Sequence, residues 1–183
     1  MLRLIVVLAG LAAAACSSAQ ITVRSRLVDG VVPVQSLMVL QAMQNDGHRG
    51  FNGLMYRGFE KRMRADLAAC RVRADLRRGS TSINTDAAVS EEVRAFDPNA
   101  ILKIQALGGD IIVTTDQFGT ERKEESDLSF NFELFDLRAN KITWSVELNL
   151  EAKAGTGLAD GEKFAEAVMA QLRKDGVLTT CDD

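Results

Sequence analysis

"LSFNFELFDLRANKITWSVELNL", Leu128–Leu150, decides the fold. Leu128, Phe130, Phe132 and Leu134 alternate with Ser129, Asn131 and Glu133. After the turn "RANK", Ile142, Trp144, Val146, Leu148 and Leu150 alternate with Thr143, Ser145, Glu147 and Asn149. Side chains of successive strand residues point to opposite faces, so this is two strands with one apolar and one polar face. An antiparallel hairpin covered on one side only satisfies that pattern. Trp144 falls in the apolar set and reads as core.

The cover is found on either side of the hairpin. In Phe51–Ala69, Phe51, Met55, Phe59, Met63 and Leu67 recur every fourth residue, with Arg57, Lys61, Arg64 and Asp66 toward the other side. That is one face of an amphipathic helix, and Gly58 in the stripe would let it approach a sheet closely. Glu162–Asp175 repeats the pattern with Phe164, Ala167, Val168 and Leu172; Asp160 suits its N-cap and Gly176 its C-cap. "VLTTC" follows as a short extended piece.

The remaining elements are shorter. "ITVRSRL", Ile21–Leu27, alternates as a half-exposed strand with Ile21, Val23, Ser25 and Leu27 on one face. After Pro33, the spacing of Leu37, Leu40 and Met43 predicts a short helix. "QNDGHRGFNG" is a glycine-broken loop that matches neither a dinucleotide fingerprint nor a P-loop. "CRVRADL" reads as a strand with Val72 and Ala74 inward, and Arg77–Asn84 as a loop. Asp86–Phe96 predicts a short helix stopped by Pro98. Ile101–Leu107 and Ile111–Thr115 predict two short strands about a "GGD" turn, and Asp116–Asp127 a solvated hairpin tip. The sum is an α+β fold: a two-layer sandwich with a mostly antiparallel sheet and two main amphipathic helices on one face. It occupies residues 21–183 as a single domain.

The start of the chain has a different logic. Met1–Arg3 carries one cation, Leu4–Leu11 is nearly all apolar, and Ala12–Ala15 are small, which describes a cleaved signal peptide over residues 1–15. The run is shorter than the roughly 20 apolar residues a membrane span requires. "AAAC" resembles a bacterial lipobox, in which the Cys16 thiol takes a diacylglycerol; Ala13 stands where that pattern usually has Leu. The competing site is Ser17-Ser18-Ala19, where cleavage after Ala19 would release a soluble protein. If Cys16 is acylated, residues 16–20 form a tether that spans about 14 Å at roughly 3.5 Å per residue. Ser17 carries no Asp-type retention signal, so the expected location is the outer membrane, facing the periplasm.

Charge and chemistry narrow the function. The 183 residues hold 22 Lys and Arg against 25 Asp and Glu, and loss of the leader removes only Arg3, so no basic nucleic-acid surface is expected. Besides Cys16, the chain has Cys70 and Cys181. In an oxidising compartment they are expected to pair, with two free thiols as the alternative. The lone histidine, His48, lacks further ligands for a metal and a serine placed as partner; no G-x-S-x-G or S-x-x-K motif is present. The expectation is therefore no enzyme, cofactor or metal site.

Several of these residues resemble a known group. A strand ending in Asp136, a turn, then Ile142, Trp144 and Ser145, and the helix "GEKFAEAVMAQLRKDGVL" are similar to small envelope lipoproteins of the curli-secretion-channel and penicillin-binding-protein-activator group, and to the amino-terminal domain of the Tol translocation protein B. "FNGLMYRGFEKRMRADL" resembles the long helix of that group. The resemblance is carried by fold-type residues rather than catalytic ones. Cys16, the short tether, the one-sided sheet and the missing chemistry lead to the expectation of a non-enzymatic, lipid-anchored periplasmic protein acting as an interaction or accessory subunit of an envelope complex. The alternatives are a transport-accessory lipoprotein with a small apolar ligand between helices and sheet, and a hydrolase built on His48.

Overall fold

The computed structural model describes residues 20–43, 53–80, 87–115, 117–151, 157–179 and 181. The Leu128–Leu150 hairpin sits inside a six-stranded sheet of order β1-β6-β5-β4-β2-β3. The strands are β1 (Gln20–Val28), β2 (Ser36–Met43), β3 (Arg73–Ser80), β4 (Ala100–Thr115), β5 (Glu121–Asp136) and β6 (Lys141–Glu151). Helices are α1 (Gly53–Ala69), α2 (Ala87–Phe96) and α3 (Leu158–Lys174). Four strands, β1, β6, β5 and β4, pair antiparallel; β2 pairs parallel with both β3 and β4. The α+β sandwich with two main helices on one face is as the sequence reads.

The core lies between the apolar sheet face and α1 with α3. Leu134, Phe132, Phe130 and Leu128 of β5 and Trp144, Val146, Leu148 and Leu150 of β6 are buried there. Phe164 of α3 is the hub: its ring centre lies 4.8 Å from Phe130, 5.6 Å from Phe132 and 6.1 Å from Phe59 of α1.

The two helices touch backbone to backbone. A Cβ on Gly58 would overlap the Leu158 carbonyl oxygen and stand 3.2 Å from the Glu162 nitrogen. Reciprocally, a Cβ on Gly161 would overlap the Met55 carbonyl oxygen and stand 2.8 Å from the Phe59 nitrogen. Gly58 thus serves a helix–helix crossing rather than an approach to the sheet. Ion pairs Lys61–Glu162 (2.8 Å) and Arg62–Glu166 (2.9 Å) flank it on the solvent side.

Several local readings change. The stretch expected as a short helix after Pro33 is the strand β2. Leu37 and Val39 face α1, whereas Met38 and Leu40 face the reverse side, and all four are buried. A parallel strand covered on both faces has no alternation to read, and the spacing of Leu37, Leu40 and Met43 imitates a helix. Helix α2 lies on that reverse side: Arg77, in register with Leu40, lies 3.9 Å from Glu92, and the Arg73 guanidinium lies 4.8 Å from the Phe96 ring centre. Crossovers β2–α1–β3 and β3–α2–β4 run in opposite directions, so right-handed connections put their helices on opposite faces.

"GGD" does not reverse the chain. Gly108 takes φ +134° at a bulge and β4 continues to Thr115; the reversal comes at Gln117–Thr120, with Gly119 at φ +78°. Glu121–Asp127 is accordingly strand, not turn, and β3 likewise runs on to Ser80. Asp160 lies inside α3, where its carboxylate accepts the Gly157 N–H at 2.9 Å from the helix's first turn. Bulges at β1 and β6 also change faces. Between Val23 and Ser25 the register slips, so Arg26 comes to the helix side and Leu27 to the open side. A slip beside Thr143 sends Ile142 to the open side, 39% exposed.

Alanine at Gly58 or Gly161 forces the helices apart and should cost roughly 1–3 kcal/mol each, as overpacking does. Because both act at one crossing, the double variant should lose less than the sum. Urea unfolding of the two single variants and the double variant checks this.

Candidate functional site

The face of the antiparallel half that carries no described helix is ordered and polar. Register aligns Lys103, Glu133, Ser145 and Leu27 in one row, and Gln105, Asn131 and Glu147 in the next. A third row joins Ser129, Asn149 and Thr22. Neighbours engage one another: Asn131 donates to Glu133 (3.1 Å), Ser129 donates to Asn149 (2.9 Å), and Lys103 lies 3.8 Å from Glu133. Arg24 reaches Glu147 at 3.9 Å. Most of these side chains are half-buried by their neighbours, so they lose little further rotamer freedom when something settles on them. Arg24 and Lys103 balance Glu133 and Glu147. Such a surface recognises by hydrogen bonds rather than by net charge. Leu27, 48% exposed, and Ile142 give it an apolar margin.

Behind this face the sheet is locked to α3 by a buried carboxylate. Asp175 ends α3, and its Oδ2 accepts the Trp144 indole N–H at 2.7 Å and the Gln171 amide at 2.8 Å. Its Oδ1 lies 3.3 Å from Nε of Arg26, and the Asp175 side chain is fully buried. The bulge in β1 is what brings Arg26 to this side. A carboxylate at a helix C-terminus opposes the macrodipole, so the partners must offset both that and desolvation. Sequence reading placed Trp144 in the core but missed Asp175. The available signal was that a buried indole N–H needs an acceptor.

Cys70, just after α1, is bonded to Cys181. The bond ties the C-terminal segment to the end of that helix, and Arg173 lies 3.9 Å from the Cys70 sulfur. Cys16, the Ser17–Ala19 site and His48 lie outside the described residues. Two further features flank the core. The Arg78 guanidinium lies 3.3 Å over the Tyr56 ring, whose phenol burial pushes above its ordinary pKa. At the other end of the sheet, two shallow hollows of 290 and 340 Å³ meet at Asn99 and Arg138. Beside them Arg73 holds Ser36 Oγ at 3.0 Å and the Asp97 carbonyl at 2.9 Å.

Among the described residues no group of three His, Cys, Asp or Glu could hold a metal ion, and no helix is long and apolar enough to cross a membrane. The Met55, Phe59 and Met63 stripe is itself packed into the core, each 1% exposed or less.

No known family matches the chain, and no curated protein matches it. Solved structures do. Two crystal forms of the PelC dodecamer from Paraburkholderia phytofirmans align with TM-scores of 0.51 and 0.50 at 16% identity. They cover 87% and 90% of this chain and 100% of the neighbour. Lipoprotein GNA1162 from Neisseria meningitidis aligns at TM-score 0.43 and 15% identity, over 76% of this chain and 98% of that one. At these identities the likeness is one of fold.

Asp175→Ala leaves the Trp144 and Gln171 donors without an acceptor. At about 1–3 kcal/mol for an orphaned buried group, it should lower stability by roughly 2–4 kcal/mol. Asp175→Asn, which keeps an acceptor for Trp144, should lose less. Chemical unfolding followed by Trp144 fluorescence measures both.

Proposed function

We propose that this chain is a non-enzymatic lipoprotein of the bacterial cell envelope. In this reading Cys16 carries the lipid on the outer membrane, and the open sheet face docks a protein partner on the periplasmic side. The observation that carries the reading is the open face itself. Its side chains are mostly polar, of both signs and in part hydrogen-bonded to one another, and no described helix covers them, while the opposite face is closed by α1 and α3. The lipobox-like "AAAC" and the Cys70–Cys181 bond support an exported, anchored protein. The resemblance to envelope accessory lipoproteins agrees with it.

A second reading makes the partner another copy of the same chain. It is favoured by the PelC neighbours, which form dodecamers, and by the sheet edges at β1 and β3, which no other described strand pairs. Exposed edges are templates for strand pairing.

Intact mass of the protein isolated from membranes should show an acylated chain beginning at Cys16. A chain beginning at Gln20 removes the anchor. Crosslinking in intact cells should join the open face to a defined protein, and Asn131→Arg should abolish that product while the protein stays folded. If the product is a multimer of this chain, the second reading holds. If Asn131→Arg leaves every product unchanged, the open face is not the docking surface.

A further inference from the structure

The hairpin β4–β5 is longer than the sheet that holds it. Strand β6 ends at Glu151, which pairs with Asp127 on one side and with Gln20 on the other. Gln20, Glu151 and Asp127 therefore form one row across the sheet, at one end of the molecule. Beyond that row five pairs of β4 and β5 continue with no third strand among the described residues, from Ile111 with Glu125 to Thr115 with Glu121. They form a two-stranded arm capped by the turn Gln117–Thr120. At about 3.4 Å per residue, the arm extends roughly 20 Å past the row. Phe118 on its cap is 82% exposed.

The chain enters β1 at Gln20 from the same end. Because β1 and β5 both neighbour β6, the entry point and the root of the arm are only two strand spacings apart, about 10 Å. The residues between Cys16 and Gln20 can span at most about 14 Å. The arm is thus longer than the tether and rises from the same end of the sheet. A lipid surface holding Cys16 lies within the arm's reach, so the domain cannot stand upright on its anchor without the arm meeting the lipid.

We propose that the tip of this arm, led by Phe118, rests in the lipid surface that holds Cys16, giving the domain a second contact and a fixed tilt. This rests on the lipoprotein reading. The chemistry of the contact is apolar: an aromatic side chain on a turn suits the boundary between headgroups and acyl chains. One acyl anchor and one aromatic contact also restrain each other, since the tether raises the local concentration of the tip at the membrane. With this tilt the open sheet face stands beside the membrane instead of turning freely above it.

The test uses the chain's single native tryptophan as its control. Full-length Phe118→Trp protein is purified from membranes, its acylation is confirmed by mass, and it is placed in phosphatidylethanolamine–phosphatidylglycerol vesicles. Half of the vesicles carry bromine on the acyl chains near the glycerol. Emission of the Phe118→Trp protein should fall by about two-fold or more in the brominated vesicles, whereas the wild type, with only the buried Trp144, should not change. An acylated protein bound to vesicles with unquenched Phe118→Trp emission overturns the arm contact and leaves the anchor standing. A protein that lacks the acyl group overturns both.

Discussion

Two glycines facing each other set the architecture. Gly58 and Gly161 let α1 and α3 meet without side chains between them, and their apolar stripes then present one continuous surface to the sheet. Phe164 sits at the centre of that surface, within ring contact of Phe59, Phe130 and Phe132. Bulkier residues at the crossing would spread the helices and open gaps under Phe164, which a close-packed interior tolerates poorly. The ion pairs Lys61–Glu162 and Arg62–Glu166 lie at the solvent rim, where such pairs contribute little. Shape, not charge, holds the pair.

The same crossing decides what stays uncovered. With α1 and α3 committed to one face and α2 on the reverse side near β2 and β3, no described helix covers the reverse of β1, β6, β5 and β4, which carries, with Leu27 and Ile142 at its margin, mostly polar side chains. Those are not idle surface: they are cross-linked by Asn131–Glu133 and Ser129–Asn149 bonds and by the Lys103–Glu133 and Arg24–Glu147 pairs. Asp175 ties α3 to two neighbouring strands on the helix side of the sheet. It binds Trp144 of β6 and Arg26 of β1, so strand β1 is fixed to α3. The disulfide adds a second tie at the same C-terminal segment.

Much of this was legible in the sequence. Period-two alternation in Leu128–Leu150 and the fourfold stripe beginning at Met55 each follow from burial on one side, and burial on one side is what a pattern records. Strand β2 was illegible for the opposite reason, since Met38 and Leu40 are as buried as Leu37 and Val39. The faces of Arg26, Leu27 and Ile142 could not be read because a bulge shifts parity by one, and nothing in a run of side chains marks where it falls. At Gly108 the residue type gave the backbone freedom but not its use: the same glycine serves a turn or a bulge. The open face was visible as a polar period, yet its partners lie across strands that only register brings together. Cys16 and His48, singled out by residue type, lie outside the described residues.

The central claim is that α1 and α3 form one unit across the glycine crossing. Native-state hydrogen exchange tests it most directly, with the Cys70–Cys181 bond intact. Amides of Phe59–Met63 in α1 and of Phe164–Leu172 in α3 should open with the same free energy, and Gly161→Ala should lower both together. Exchange from α1 at a lower free energy than α3, with only one helix responding to Gly161→Ala, would contradict the account.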